Sequence, residues 1–216
     1  MLRITERPPR VVSVNVGAVQ PVAWRGRTVT TGIFKHAVAG RVALSGVNFH
    51  GDDQADRSVH GGPDKAVYGY ALEHYSTWRA EFPQHAMLLV PGGLGENLTL
   101  ETCSEADVCV HDVVQIGTAM FQVTQPRQPC FKFALRFDDV AMPRAMIRNG
   151  YSGWYYRVLE SGRLQAGDVV RLTQRFIPRW PIERVNRLIV QRRATAAERD
   201  EFMDMLKQTR MSAGEK

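Results

Sequence analysis

Residues 11–16 alternate apolar and polar side chains and carry four valines, the pattern of a half-buried strand. Trp24-Arg25-Gly26-Arg27-Thr28-Val29 predicts the tip and return of a short hairpin, and residues 40–49 predict a further strand. The chain then turns polar and glycine-rich over 51–65, which reads as a long loop, and long ordered loops on compact domains usually carry function. Leu72, Tyr75, Trp78 and Phe82 recur at helical spacing and predict a helix over 70–82. Residues 113–124 read as a hairpin turning at Gly117-Thr118. Pro126 and Pro129 end that strand and stiffen the approach to Cys130. Short helices are expected over 131–137 and 140–148, and a last strand over 169–173. Beyond 175 the period changes. Pro181 suits a helix start, and Ile182, Val185, Leu188 and Ile189 lie on one helical face. Thr195-Ala196-Ala197-Glu198 is a capping box ahead of a second amphipathic run carrying Phe202, Met205 and Leu206.

This pattern divides the 216 residues into a β-rich body over 1–175 and a helical extension over 176–216. With 44% apolar and 23% charged residues, disordered, collagen-like and coiled-coil chains are excluded. No apolar run approaches the ~18 residues of a membrane span, and the first residues lack the apolar stretch of a secretion signal. Three cysteines, an odd number, fit reduced thiols and a cytoplasmic location.

The net charge of +6 is unevenly placed. Arg175, Arg179, Arg184, Arg187, Arg192 and Arg193 crowd the C-terminal part and read as solvated helix faces. No aromatic–basic motif accompanies them, so nucleic-acid binding is not expected. Arg127, Lys132 and Arg136 surround Cys130, and positive charge beside a helix start favours a thiolate. Cys103 and Cys109 lie in an acidic stretch that disfavours one and read as structural. The loop from Asn48 to Lys65 holds two histidines (His50, His60), four aspartates (Asp52, Asp53, Asp56, Asp64) and three glycines. Its spacing matches no standard metal signature. It leaves open a metal site, a loop held by its own side chains, and a cofactor-binding loop in which His60 donates to an anion. Lys35 closes Thr31-Gly32-Ile33-Phe34-Lys35, where it can reach a pocket or face solvent. The aromatics of Ser152-Gly153-Trp154-Tyr155-Tyr156-Arg157-Val158 suit core or pocket wall.

Taken in order, these segments resemble the MOSC family, the molybdenum-cofactor sulfurase C-terminal domain, and in particular its stand-alone bacterial, YiiM-like branch. The resemblance is carried by Thr31-Gly-Ile-Phe-Lys35, Gly51-Asp-Asp-Gln-Ala-Asp56, His60-Gly-Gly-Pro-Asp-Lys65-Ala66, Gly95-Glu-Asn-Leu98, Pro126-Arg-Gln-Pro-Cys130 and Gly153-Trp-Tyr-Tyr-Arg-Val158. It spans about residues 28–176, and the segment 177–216 is similar to the branch's three-helix extension. The resemblance implies an α+β fold, mainly β, with a β-barrel body and a pocket for molybdopterin. It makes Cys130 the protein ligand to molybdenum, a soft donor suited to that metal. Lys35, Arg127, Lys132 and Arg136 become candidates for the cofactor phosphate. Lys35 and His60 are expected nearest Cys130, as proton sources. Asp56 and Asn97 are expected to orient the pterin or brace its loop. His50 keeps a structural reading.

The implied activity is reduction of N-hydroxylated compounds, such as N-hydroxylated purine bases and hydroxylamine-type substrates, in detoxification of base analogues. The sequence shows no flavin, haem or iron–sulfur motif, so a flavoprotein reductase is expected to supply electrons. The alternative is a cofactor carrier or sulfur-transfer module working through a Cys130 persulfide without turnover. The apolar face of the helical extension is expected to pack on its own body or on a second copy in a homodimer.

Overall fold

The computed structural model of the chain describes residues 7–55 and 61–214. Its strands are β1 (Arg10–Val16), β2 (Gln20–Trp24), β3 (Arg27–Thr31), β4 (His36–Ala37), β5 (Val42–Ser45), β6 (Asn48–Phe49), β7 (Val67–Ala71), β8 (Leu98–Glu101), β9 (Val113–Ile116), β10 (Ala119–Pro126), β11 (Trp154–Glu160), β12 (Gly162–Leu164) and β13 (Val170–Gln174). Its α-helices are α1 (His74–Glu81), α2 (Phe131–Phe137), α3 (Ala141–Asn149), α4 (Ile182–Ile189) and α5 (Ala196–Gly214). Eight strands form one sheet in the order β13-β9-β10-β11-β7-β8-β1-β4, antiparallel except for β7–β8. The fold is α+β, as expected. None of the described helices is long and apolar enough to cross a membrane.

The sheet does not close into the expected barrel. Its edges, β13 and β4, do not pair, and the start of β1 meets the approach to β13 through the isolated bridge Arg10–Val169 and a few backbone bonds, Val11 to Asp168, Gly167 to Val11 and Val170 to Pro9. β13 shifts register against β9 between Leu172 and Gln174, and most of its side chains are exposed. The C-terminal segment also differs from expectation, with two helices among its described residues rather than three. Pro178 and Pro181 keep the lead-in irregular, and Arg192 at φ 53° lies in the turn between α4 and α5.

Both faces of the sheet are covered. One face, with Val14, Val67, Leu98, Phe121 and Trp154, also takes Trp180, Ile182 and Val185 from the α4 region and Met205 from α5. The apolar face of the extension therefore packs on its own body. Tyr68 and Tyr70 point the other way and join Tyr75, Trp78, Phe133, Phe137, Met142 and Met146 beneath α1, α2 and α3. This double burial explains the largest misreading of the pattern. Residues 67–71 are buried at every position, so they make a central strand, and the helix predicted from residue 70 starts at His74. The strand predicted over 40–49 is two short ones paired at Leu44–Phe49. The capping box is present: the Glu198 amide donates to Thr195 Oγ1 (3.2 Å) and the Thr195 amide to Glu198 Oε2 (2.9 Å). The C-terminal arginines are largely paired, Arg175 with Asp112, Arg184 with Glu201 and Arg187 with Glu198.

Gly153 opens β11 at φ 62°, and a Cβ there would lie 2.3 Å from the Gly69 carbonyl oxygen. Its own carbonyl accepts the Arg127 amide, and its amide donates to Glu105 Oε1 (2.7 Å). Gly40 has a similar φ of 75° with open space where a Cβ would go. Gly153→Ala is therefore expected to lower stability by about 3 kcal/mol or more and Gly40→Ala by about 1 kcal/mol. Denaturant unfolding with equal m values checks the ranking; equal losses would contradict it.

Candidate functional site

One cleft gathers residues from six separate parts of the sequence. It is lined by Thr31, Gly32, Ile33 and Lys35, by 52–55 and Lys65, by Tyr68, Gly95 and Asn97, and by Arg127, Gln128, Cys130, Lys132 and Tyr155. The strand ends explain the convergence. β3 ends at Thr31, β7 begins at Val67, β8 begins at Leu98, and β10 ends at Pro126 where the proline removes the next ladder donor. The chain then turns through Pro129, and Cys130 stands as the N-cap of α2.

Asp52 organises the floor of the cleft. Its carboxylate takes the Lys35 ammonium, the Gly17 amide (2.9 Å) and Asn97 Nδ2 (2.8 Å). Both side chains of the Lys35–Asp52 pair are nearly buried, at 8% and 3% exposure. Asn97 uses its whole amide as a brace. Oδ1 accepts the Tyr68 amide (3.1 Å), while Nδ2 also donates to the Asn15 carbonyl (3.2 Å). Beside it Gly95, at φ 87°, lets the loop pass so close to Ile33 that a Cβ would sit 2.8 Å from its Cγ1.

Behind this floor lies a buried polar chain. Ser13 Oγ donates to Asn15 Oδ1 (2.7 Å), Asn15 Nδ2 to Thr99 Oγ1 (3.2 Å), and Thr99 Oγ1 to Glu96 Oε1 (2.8 Å). Glu96 also accepts from Tyr75 OH and from the Gly92 amide (2.7 Å). Burial raises its carboxyl above the usual range, against the pull of these donors.

Arg127 forms the wall. Its guanidinium lies 4.9 Å from the Tyr68 ring centre and 4.8 Å from that of Phe133, with Nη1 3.6 Å from Met146 Sδ. Burial alone would lower its pKa. Tyr68, Tyr155 and Cys130 more than offset this, and it stays raised above the ordinary arginine value. Neither Arg127 nor Lys132 has a carboxylate partner among the described residues. The three cysteines separate sharply. Cys130 is half-exposed in the cleft, whereas Cys103 and Cys109 are buried. Burial raises both buried thiols, Cys109 to about 11.

Five of the residues singled out from the sequence thus share one cleft: Lys35, Asn97, Arg127, Cys130 and Lys132. Arg136 does not line it. Its guanidinium lies over Phe34 (5.1 Å) and Phe137 (5.8 Å), Nε is buried without a partner, and burial lowers its pKa. Asp56 and His60 lie outside the described residues. His50 is exposed and away from the cleft lining. Sequence reasoning overlooks Asp52 as a partner for Lys35 and Tyr68 as a wall; Tyr155 lies in the wall, one of the two places its segment suggests. The one signal for Tyr68 is the strand-forming run of valine and tyrosines over 67–70, which the helical spacing of the next residues masks.

Comparison with known proteins agrees with this geometry. Residues 56–171 match the family model of the MOSC domain. An uncharacterized protein of Bacillus subtilis (strain 168), YflK, is 43% identical over 165 residues, 76% of this chain and 73% of that one. A Gibberella moniliformis protein named "Reductase" is 36% identical over 186 residues; the match takes in 86% of this chain but only 33% of that longer protein. The crystal structure of YiiM from Geobacillus stearothermophilus superposes with a TM-score of 0.72 at 34% identity, covering 90% of each chain. With the family model, the close relative and the matching structure all in agreement, the chain belongs to the MOSC domain family, on its YiiM-like branch.

Proposed function

We propose that this chain binds a molybdenum cofactor in the Cys130 cleft and reduces N-hydroxylated compounds, purine bases and hydroxylamine-type molecules among them, with electrons from a flavoprotein reductase. The observation that carries the reading is the placement of the one accessible thiol in a cleft where Arg127 and Lys132 have no carboxylate partner among the described residues. The donor set fits the group. Cys130 offers a soft sulfur ligand, and Lys132 and Arg127 offer charge and N–H donors to a phosphate. The relative named "Reductase" supports redox chemistry. When bound, the cofactor supplies a two-electron centre able to accept the substrate's oxygen.

The chain's own residues do the rest. Arg127, locked between two rings, fixes positive charge without room to swing. Lys35 is held against Asp52, so it offers oriented N–H groups rather than a free net charge, and a lysine ammonium has two further N–H directions for water or substrate. Proton delivery falls to Lys35 and, by the family resemblance, to His60. Tyr68 and Tyr155 close the wall. Burial raises both phenols, so they stay protonated and neutral beside Arg127.

The direct test is turnover of an N-hydroxylated purine with a chemical reductant and cofactor-loaded protein. Wild type is expected to turn over, Cys130→Ser to lose at least 100-fold on the order of a missing metal ligand, and Cys103→Ser to change little. A fully active Cys130→Ser variant would overturn the thiol assignment.

The same geometry predicts two further outcomes. Brief alkylation of the native protein at neutral pH is expected to mark Cys130 alone, with Cys103 and Cys109 reacting only after unfolding; peptide mass mapping reads the result, and equal native labelling would refute the separation. Lys35→Met leaves Asp52 buried and unpaired and is expected to cost about 3 kcal/mol, whereas Lys35→Met with Asp52→Leu costs at least ~1 kcal/mol less than the two single changes summed. Additive losses in a denaturation cycle would mean that the pair is not coupled.

A further inference from the structure

Next to Cys130 the cleft has a rim that the proposed reduction does not use. Trp24, at the end of β2, stacks on Phe131, the first residue of α2, with ring centres 6.1 Å apart and planes 26° from parallel. Arg25 lies over the Trp24 ring at 4.7 Å, and Arg27 lies over Trp24 at 5.8 Å and over Phe131 at 5.3 Å. The indole is held in place by its Nε1, which donates to Asp138 Oδ1 at 2.9 Å. That bond, with the ring stack, ties the hairpin tip to both ends of α2. Phe131 is 44% exposed, and Arg25 and Arg27 are exposed as well. Among the described residues, neither arginine nor Lys132 has a carboxylate partner, and Lys132 lines the cleft itself.

The turn is unusual in the residue it uses. Arg25 and Gly26 are its two central residues, at φ 51° and 76°, and Trp24 pairs with Arg27 across it. Two-residue turns of this hand favour asparagine, aspartate or glycine at the first position. Here the chain places a long cation there. A guanidinium held over a ring by its cation–π contact still has N–H groups to offer, which suits bidentate contact with a phosphate. An exposed ring beside it suits the face of a base.

We propose that this rim binds a nucleotide, so that a purine substrate is taken up in preference as its nucleoside monophosphate. Its ring is received on the Trp24–Phe131 pair and its phosphate by Arg25 and Arg27. The inference rests on the proposed function for the chemistry in the cleft, but the binding itself does not depend on it.

Trp24 makes the test clean. The chain has four tryptophans, and Trp78, Trp154 and Trp180 are at most 2% exposed, so a ligand in solution reaches Trp24 alone. Tryptophan emission is followed while adenosine 5′-monophosphate, adenosine or inorganic phosphate is added at low salt. The monophosphate is expected to quench saturably and adenosine to bind at least tenfold more weakly. Arg25→Asn with Arg27→Gln keeps the turn and removes both charges; it is expected to weaken monophosphate binding at least tenfold and leave adenosine little changed. Equal affinity for adenosine and its monophosphate, or no saturable quenching, would overturn the proposal.

The phosphate of a pterin cofactor is the other source of this chemistry. Molybdenum and pterin content of the double variant separates the two: unchanged content supports a substrate site, and content halved or less assigns the rim to the cofactor and overturns the substrate reading. A protein that binds the monophosphate at Trp24 yet reduces no N–O bond keeps the rim and refutes the function, so the two failures are distinguishable.

Discussion

The cleft depends on one buried carboxylate. Asp52 ties three chain segments together at one point: the end of β1 through the Gly17 amide, the segment after the β2–β3 hairpin through Lys35, and the start of β8 through Asn97, where it reinforces the pairing of β1 with β8 and β4. An ion pair this far from water is stable only when its remaining donors and acceptors are also matched. Asn97 supplies that match and passes it on to β7 through both backbone groups of Tyr68. The same arrangement sets the electrostatics. Lys35 is neutralised locally, which leaves Arg127 and Lys132 as cations that the cleft presents to a ligand.

A second constraint lies on the Cys130 side. β10 must stop at Pro126, and the backbone returns to β11 at Gly153, where only a residue without a side chain fits against Gly69. Arg127 leaves this junction directly into the layer of Tyr68 and Phe133. Cys130, three residues on, is therefore held in a short link between that wall and the start of α2. The other cysteines are enclosed in surroundings that raise their thiols, so position alone divides one accessible sulfur from two inert ones.

Much of this is legible in the sequence where local rules and tertiary packing agree. The 113–124 hairpin, the proline-stiffened approach to Cys130, the helices after it and the capping box at Thr195 all come from periodicity and end signals. Residues 67–71 do not, because a strand buried on both faces loses the alternation that marks strands, and its tyrosines continue the spacing of the next helix. The pairing of Lys35 with Asp52 is equally hidden, since nothing local in two polar segments 17 residues apart reports that their charges meet. Arg136 shows the opposite error: proximity to Cys130 in sequence suggests a site role, yet helical rotation aims it at Phe34 and Phe137.

The central claim is that the Cys130 cleft holds molybdenum through that thiol. Its most direct measurement is the molybdenum and pterin content of the protein purified from a host that makes the cofactor, wild type beside Cys130→Ser. The account predicts near-stoichiometric metal in the wild type and little in the variant. Equal metal in both, or none in either, would contradict it.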